Sequence, residues 1–215
     1  MIKISPSILS ADLFEIASKV KALDKAGVDY IHIDVMDGHY VKNITFGSNM
    51  VKSLKKITSK TLDVHLMIKP VELYIKEFIE AGSDIISFHP EADPNTDEII
   101  EYIKENNVDA GIAIHPDVKI SDIEKYLSKV QQVIVMTVLP GFGGQKFMNN
   151  QVYKIKELFN IRKKNNLNYK ISVDGGISNI TAKECINNGV DILAVGSYLL
   201  NQDENEYPNL LSNLK

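Results

Sequence analysis

Cys185 is the only cysteine in the chain, so no disulfide can form within it, and the single thiol suits a reducing compartment. No apolar run approaches the ~20 residues that a membrane-spanning helix requires. The opening segment, MIKISPSILSADL, lacks both a long apolar stretch and a small-residue cleavage site, so a cytoplasmic location is expected. Basic residues are not in excess: 24 Lys and Arg against 28 Asp and Glu leave a formal net charge of -4. That balance offers no electrostatic attraction for nucleic acid or for an acidic membrane. Linkers and low-complexity stretches are also missing, and residues 1–215 read as one domain. Hydrophobic residues make up 44% of the chain, which is ample for a buried core.

What is present is a repeated unit. AGVDYIHID (Ala26 to Asp34), AGSDIISFH (Ala81 to His89), NNVDAGIAIH (Asn106 to His115) and NGVDILAVG (Asn188 to Gly196) share a Gly or Asn, one residue, Asp, then an apolar run. Gly and Asn adopt the left-handed conformation that closes a helix, so Gly27, Gly82, Asn107 and Gly189 each mark a helix handing over to a strand. The markers lie 55, 25 and 82 residues apart, which is two, one and three units of about 27 residues. At that length the chain holds about eight units.

The remaining strands are read around Ile4 and in TLDVHLM (Thr61 to Met67), VIVMTV (Val133 to Val138) and YKISV (Tyr169 to Val173). Helical spacing separates them, as at Ile16, Val20 and Leu23. Asp12 followed by Glu15 has the spacing of a capping box and is expected to start that helix. Eight strand-plus-helix units predict an α/β protein, a (β/α)₈ TIM barrel, with an open doubly wound sheet as the alternative. In either fold polar residues at C-terminal strand ends gather at one mouth.

Those residues form a short set. His32 and Asp34 are two apart on one strand, as are Asp63 and His65 on the next, so each pair shares a face. Two histidines and two carboxylates make a mixed nitrogen and oxygen donor set suited to zinc, iron, manganese or cobalt, although spacing alone leaves open which carboxylates ligate. Asp174 ends another strand, directly before a glycine pair. Acids such as Asp34 and Asp174 on separate strands suit proton transfer on both faces of a carbon next to a carbonyl. PGFGGQ (Pro140 to Gln145), DGGI after Val173 and VGS (Val195 to Ser197) place glycines after three successive strands, where backbone N–H groups can approach a phosphate. Met36, Met67 and Met136 stand near strand ends and read first as core filling. His89 and His115 also end strands, each readable as a hydrogen-bonded rim histidine.

In order and spacing, SPSILSADL (Ser5 to Leu13), HIDVMDGHYVKN (His32 to Asn43), LDVHLM (Leu62 to Met67), SFHPEA (Ser87 to Ala92), VMTVLPGFGGQKF (Val135 to Phe147), VDGGI (Val173 to Ile177) and AVGS (Ala194 to Ser197) resemble the ribulose-phosphate 3-epimerase family. The resemblance spans nearly the whole chain. It implies reversible interconversion of D-ribulose 5-phosphate and D-xylulose 5-phosphate in the pentose phosphate pathway and, in autotrophs, the Calvin cycle. It implies one divalent metal ion held by His32, Asp34, His65 and Asp174, with Asp34 and Asp174 also the acid/base pair. Ser7, His65, Gly141, Phe142, Gly143, Gly144, Asp174, Gly175, Gly176, Gly196 and Ser197 become substrate contacts, chiefly to phosphate. Met36, Met67 and Met136 become a cap over the reacting carbons, which replaces the core-filling reading. A homo-oligomer, dimer or larger, is also implied.

Three loop residues depart from the family pattern: Lys42 where proline is common, His115 where asparagine or lysine is usual, and Leu139 where a polar residue is usual. None removes a ligand or an acid. They bear on the choice between a pentulose 5-phosphate and a hexulose substrate such as D-allulose 6-phosphate. A decarboxylase of the orotidine-phosphate type would need an Asp-x-Lys-x-x-Asp strand, and here Met36 and Asp37 follow Asp34 with no lysine. A non-catalytic phosphosugar-binding barrel would have no use for both acids and both histidines.

Overall fold

Apolar runs too short for helices and amphipathic segments too regular for strands alternate along the chain, and a computed structural model describing residues 1–215 shows how they assemble. The strands are β1 (Lys3–Pro6), β2 (Tyr30–Met36), β3 (Thr61–Met67), β4 (Ile85–Phe88), β5 (Asp109–Ile114), β6 (Gln132–Met136), β7 (Lys170–Asp174) and β8 (Ile192–Val195). They form one parallel sheet in the order β1-β8-β7-β6-β5-β4-β3-β2. The seam between β1 and β2 is closed by a parallel bridge from Ser7 to His32 and by Asp29 N–H donating to the Ile4 carbonyl at 3.1 Å. The expected (β/α)₈ barrel is the fold, and the open sheet is excluded.

Each strand is followed by a helix: α1 (Ile16–Ala26), α2 (Ser48–Leu54), α3 (Ile75–Glu80), α4 (Thr96–Glu105), α5 (Ile120–Ile123), α6 (Val152–Lys164), α7 (Asn179–Asn187) and α8 (Ser197–Leu200), with α9 (Tyr207–Asn213) added at the end. Ile16, Val20 and Leu23 of α1 and Ile99, Ile100 and Ile103 of α4 are buried at the helical spacing, so the main apolar core lies between the helices and the outer faces of the strands. No helix is long and apolar enough to cross a membrane.

The repeated Gly-x-Asp unit has two physical jobs. Gly27, Gly82, Asn107 and Gly189 all have positive φ, from +59° to +99°, which ends their helices as expected. The aspartate that follows two residues later stitches strands together. Asp29 accepts from Ile4 N–H at 3.0 Å, Asp84 from Leu62 N–H at 2.8 Å and Asp191 from Ile171 N–H at 2.8 Å, and each pairs with a cation, Lys3, Lys55 or Arg162. Asp109 stays exposed, and Gln131 accepts from Ala110 N–H in its stead.

One local expectation fails. Asp12 does not cap α1: its carboxylate accepts from Phe14 N–H at 2.9 Å, and the helix starts only at Ile16 without a side-chain cap from Glu15. An aspartate bonding the amide two residues on makes its own turn, and here that turn competes with the helix start.

Candidate active site

Side chains two apart on a strand share a face, and in register β2 sets His32 beside Asp63 and Asp34 beside His65 of β3. All four point into the barrel and are 3% exposed or less. In the lower pair Asp63 is structural support for His32: it accepts from His32 Nδ1 at 2.8 Å, Ser5 Oγ at 3.2 Å and Gln132 Nε2 at 2.8 Å. Of the upper pair, Asp34 lines the cavity and His65 is buried behind it. Asp34 Oδ1 lies 3.1 Å from His65 Nδ1 and 3.3 Å from His32 Nε2, while Asp34 Oδ2 accepts from Ser7 Oγ at 2.6 Å. Asp174, last residue of β7, brings Oδ2 within 3.9 Å of His32 Nε2 and 3.7 Å of His65 Nδ1. Ligand atoms of His32, Asp34, His65 and Asp174 therefore all fall within 4.8 Å of one another, and Asp63 is left out.

The donor set fits a divalent cation. His32 Nε2 is buried with no hydrogen-bond partner, yet it points at two carboxylates, so no group of the chain competes with an ion for that nitrogen. Its other nitrogen is held by Asp63, the support that metal-binding histidines commonly have. Two imidazoles and two carboxylates suit first-row divalent metals better than magnesium or calcium. The electrostatics agree. Burial disfavours charge on His32, but Asp34 and Asp63 outweigh it and raise its pKa well above the ordinary value. Burial likewise opposes ionisation of Asp34, yet His32 and His65 hold its carboxyl well below the usual range. The pocket selects positive charge beside ionised carboxylates.

Two threonines hold the main chain at the two acids. Thr45 Oγ1 donates to the Asp34 carbonyl at 2.6 Å and accepts from Met36 N–H at 3.0 Å. Thr137 Oγ1 contacts the carbonyls of Asp174 at 3.0 Å and Gly175 at 2.6 Å. Neither threonine stood out in the sequence, because each works through loop geometry without a motif of its own.

Above the four ligands lies a cavity lined by Ser7, Asp34 and Asp174, by Met36, Met67 and Met136, and by Gly141, Phe142, Gly143, Gly144, Gly175, Gly176, Gly196 and Ser197. The three methionines are 3% exposed or less and converge from β2, β3 and β6. The glycine side is main chain. Gly143, Gly144, Gly176 and Gly196 N–H groups find no acceptor within the chain. Gly176 has φ +65°, and a Cβ there would stand 2.6 Å from Phe147 N, so only glycine fits. The strand expected through Val138 ends at Met136, although Thr137 N–H still donates to the Asp174 carbonyl at 2.8 Å.

Of the departing loop residues, Leu139 is 52% exposed and lines the cavity. Lys42 is exposed, and the adjacent Asn43 still reaches the Gly141 carbonyl at 2.7 Å. His115 accepts from Asp117 N–H at 3.2 Å and does not line the cavity. His89 is fully buried against His65, and burial pushes its pKa down to about 4.

A carboxylate pair beneath a cavity edged by free main-chain N–H groups, at the mouth of a (β/α)₈ barrel, has the make-up of an enzyme active site. Comparison with known proteins narrows the class. Residues 3–200 match the model of the ribulose-phosphate 3 epimerase family, and the chain belongs to that family. It is 43% identical to the ribulose-phosphate 3-epimerase of Bacillus subtilis over 205 residues, covering 95% of this chain and 94% of that protein. It is 41% identical to the Methanocaldococcus jannaschii enzyme of the same name, covering 95% and 86%. Among solved structures it resembles 3-hexulose-6-phosphate synthase from Salmonella typhimurium, with a TM-score of 0.73 at 18% identity, covering 99% and 96%. That likeness is one of fold.

Proposed function

We propose that the chain epimerises C3 of D-ribulose 5-phosphate to give D-xylulose 5-phosphate, reversibly, in the pentose phosphate pathway. The observation that carries the reading is the meeting of Asp34 and Asp174, from β2 and β7, in one four-donor cluster beneath the glycine-lined cavity. Family membership supports the same reaction.

The main-chain N–H groups of Gly143, Gly144, Gly176 and Gly196, with the Ser197 hydroxyl, take the phosphate. That anchor positions C3 between the two acids, so phosphate binding lowers the barrier at a distance. Asp34 removes the C3 proton on one face, and Asp174 delivers a proton on the other, with the roles exchanged in reverse. Ser7 holds Asp34 Oδ2 and keeps that carboxylate turned toward the cavity. Met36, Met67 and Met136 cover the flat enediolate and keep water from it. His32, Asp34, His65 and Asp174 would hold a divalent ion, whether zinc, iron, manganese or cobalt, which when bound would supply positive charge to stabilise the developing enediolate.

Epimerisation in D₂O tests the chemistry: deuterium should enter C3 of the product, and chelator-stripped protein should lose activity by about 10³-fold or more, with recovery on adding metal. Full activity in protein shown by elemental analysis to be metal-free would defeat the assignment. The pentulose 5-phosphate should have a higher kcat/KM than D-allulose 6-phosphate, whose extra carbon must bend to span the same phosphate and carboxylate positions. The reverse ranking would move the substrate to a hexulose and leave the two-base chemistry standing. We also infer a cytoplasmic location, consistent with the single thiol at Cys185, and a homo-oligomer, supported by the exposed apolar side chains of Leu13, Phe14 and Ile44 and open to test by sedimentation.

A further inference from the structure

The two histidines of the cluster face it with different nitrogens. His32 offers Nε2 and rests its Nδ1 on Asp63, whereas His65 offers Nδ1 and turns its Nε2 away from the cavity. Behind His65 there is no carboxylate. Its Nε2 lies 3.0 Å from Nε2 of His89, a fully buried ring that also stacks on Tyr40 with centroids 4.6 Å apart. The far nitrogen of His89, Nδ1, lies 3.4 Å from Glu91 Oε1, and the same oxygen accepts from Tyr40 hydroxyl at 2.8 Å.

Two imidazole nitrogens 3.0 Å apart need one proton between them, with one ring donating and the other accepting. If His65 is to give the Nδ1 lone pair to a cation, its proton must sit on Nε2. His89 must then accept at Nε2 and carry its own proton on Nδ1, a buried nitrogen with no hydrogen-bond partner that lies 3.4 Å from the Glu91 carboxylate. The proton positions on the two rings are thus linked, and the nearby Glu91 carboxylate favours the proton on His89 Nδ1. We propose that Tyr40, Glu91 and His89 are positioning residues that fix His65 as the Nε2–H tautomer and so set the affinity of the four-donor centre for its ion. The proposal rests on the reading of His32, Asp34, His65 and Asp174 as ligands.

The arrangement differs in kind from the one behind His32. A carboxylate directly on imidazole raises its donor strength, while a neutral imidazole on imidazole orients it without adding charge. Asp63 therefore strengthens one ligand, and His89 aims the other. The sequence carries this in SFHPEA, since Ser87 pairs with His65 and His89 is two residues further along the same face.

The test is zinc affinity of the full chain, measured by chelator competition, beside ¹⁵N imidazole spectra of the unaltered zinc-loaded protein. His65 should be protonated on Nε2 and His89 on Nδ1. His89→Leu should weaken zinc binding by about 10- to 100-fold, and His89→Gln, whose amide oxygen can accept from His65, should recover most of it. Glu91→Ala should weaken it by about tenfold with no change in thermal midpoint, and it serves if His89→Leu does not fold. Unchanged affinity in folded His89→Leu or in Glu91→Ala, equal losses in His89→Leu and His89→Gln, or a proton on His65 Nδ1 would each overturn the proposal while leaving the metal centre intact. Failure of the unaltered chain to bind zinc, iron, manganese or cobalt would instead remove the centre itself, and the proposal with it.

Discussion

Strands β2, β3 and β4 meet the cavity region with buried side chains, whereas β6, β7 and β8, the side chains of Met136 and Asp174 apart, meet it with loops of main chain. On the first side His32, Asp34, His65 and His89 are 3% exposed or less, and each is tied to another side chain, with only His32 Nε2 and His89 Nδ1 left without a hydrogen-bond partner. On the second, Gly143, Gly144 and Gly176 are exposed and their N–H groups are free. Charge chemistry needs fixed geometry and low dielectric, so it is built where side chains are locked by packing. Phosphate recognition needs donors and room, so it is built where side chains are missing. Asp174 stands at the border, ending a strand of the second side and joining the ligands of the first.

Substitutions on the two sides should separate accordingly. Asp34→Asn should have the largest effect, lowering kcat by ~10⁴-fold, because it removes a proton acceptor and weakens a ligand together. Asp174→Asn should lower kcat by about 10²- to 10³-fold and, in D₂O, block exchange into one of the two epimers before the other. Metal content measured on both proteins separates lost proton transfer from lost binding. Near-normal turnover in metal-loaded Asp174→Asn would remove its assigned role and leave the two sides of the mouth chemically unequal.

Gly176→Ala acts on the main-chain side. A Cβ at φ +65° and 2.6 Å from Phe147 N must displace the backbone, a strain of about 1–3 kcal/mol. KM should rise by roughly 10- to 100-fold with a smaller fall in kcat, and metal content should not change. A drop in metal content with unchanged KM would show that the two sides are one mechanical unit.

The sequence shows these sides unequally. Glycines 27, 82 and 189 and Asn107 were readable because a left-handed helix end is a property of single residues. The shared face of His32 and Asp34 was readable from the two-residue period of a strand. The choice between Asp63 and Asp174 was not, because it depends on which strand ends reach the same height in the barrel, with more than a hundred residues between them. Spacing offered Asp34 and Asp63 without deciding which ligates, and only the family resemblance brought Asp174 into the set. The misplaced start of α1 has a local cause: Asp12 can bond either a helix amide or its own turn, and spacing does not distinguish them. His89 was visible as a strand-end histidine, but its contact with His65 follows from the pairing of β3 with β4.

The smallest effect expected on the side-chain half is that of Ser7→Ala. The resemblance makes Ser7 a substrate contact, while the structure shows its hydroxyl donating to Asp34 Oδ2 at 2.6 Å. A hydrogen bond to a charged group contributes about 1.5–3 kcal/mol, but the freed carboxylate oxygen lines an open cavity where water can replace part of it. The loss should therefore be about tenfold, and its location decides the role. If Ser7 orients Asp34, kcat falls, KM holds, and the deuterium label enters more slowly from the Asp34 face alone. If Ser7 binds substrate, KM rises and both faces slow together. The first outcome keeps the side-chain half of the mouth self-contained, and the second extends substrate recognition across to β1.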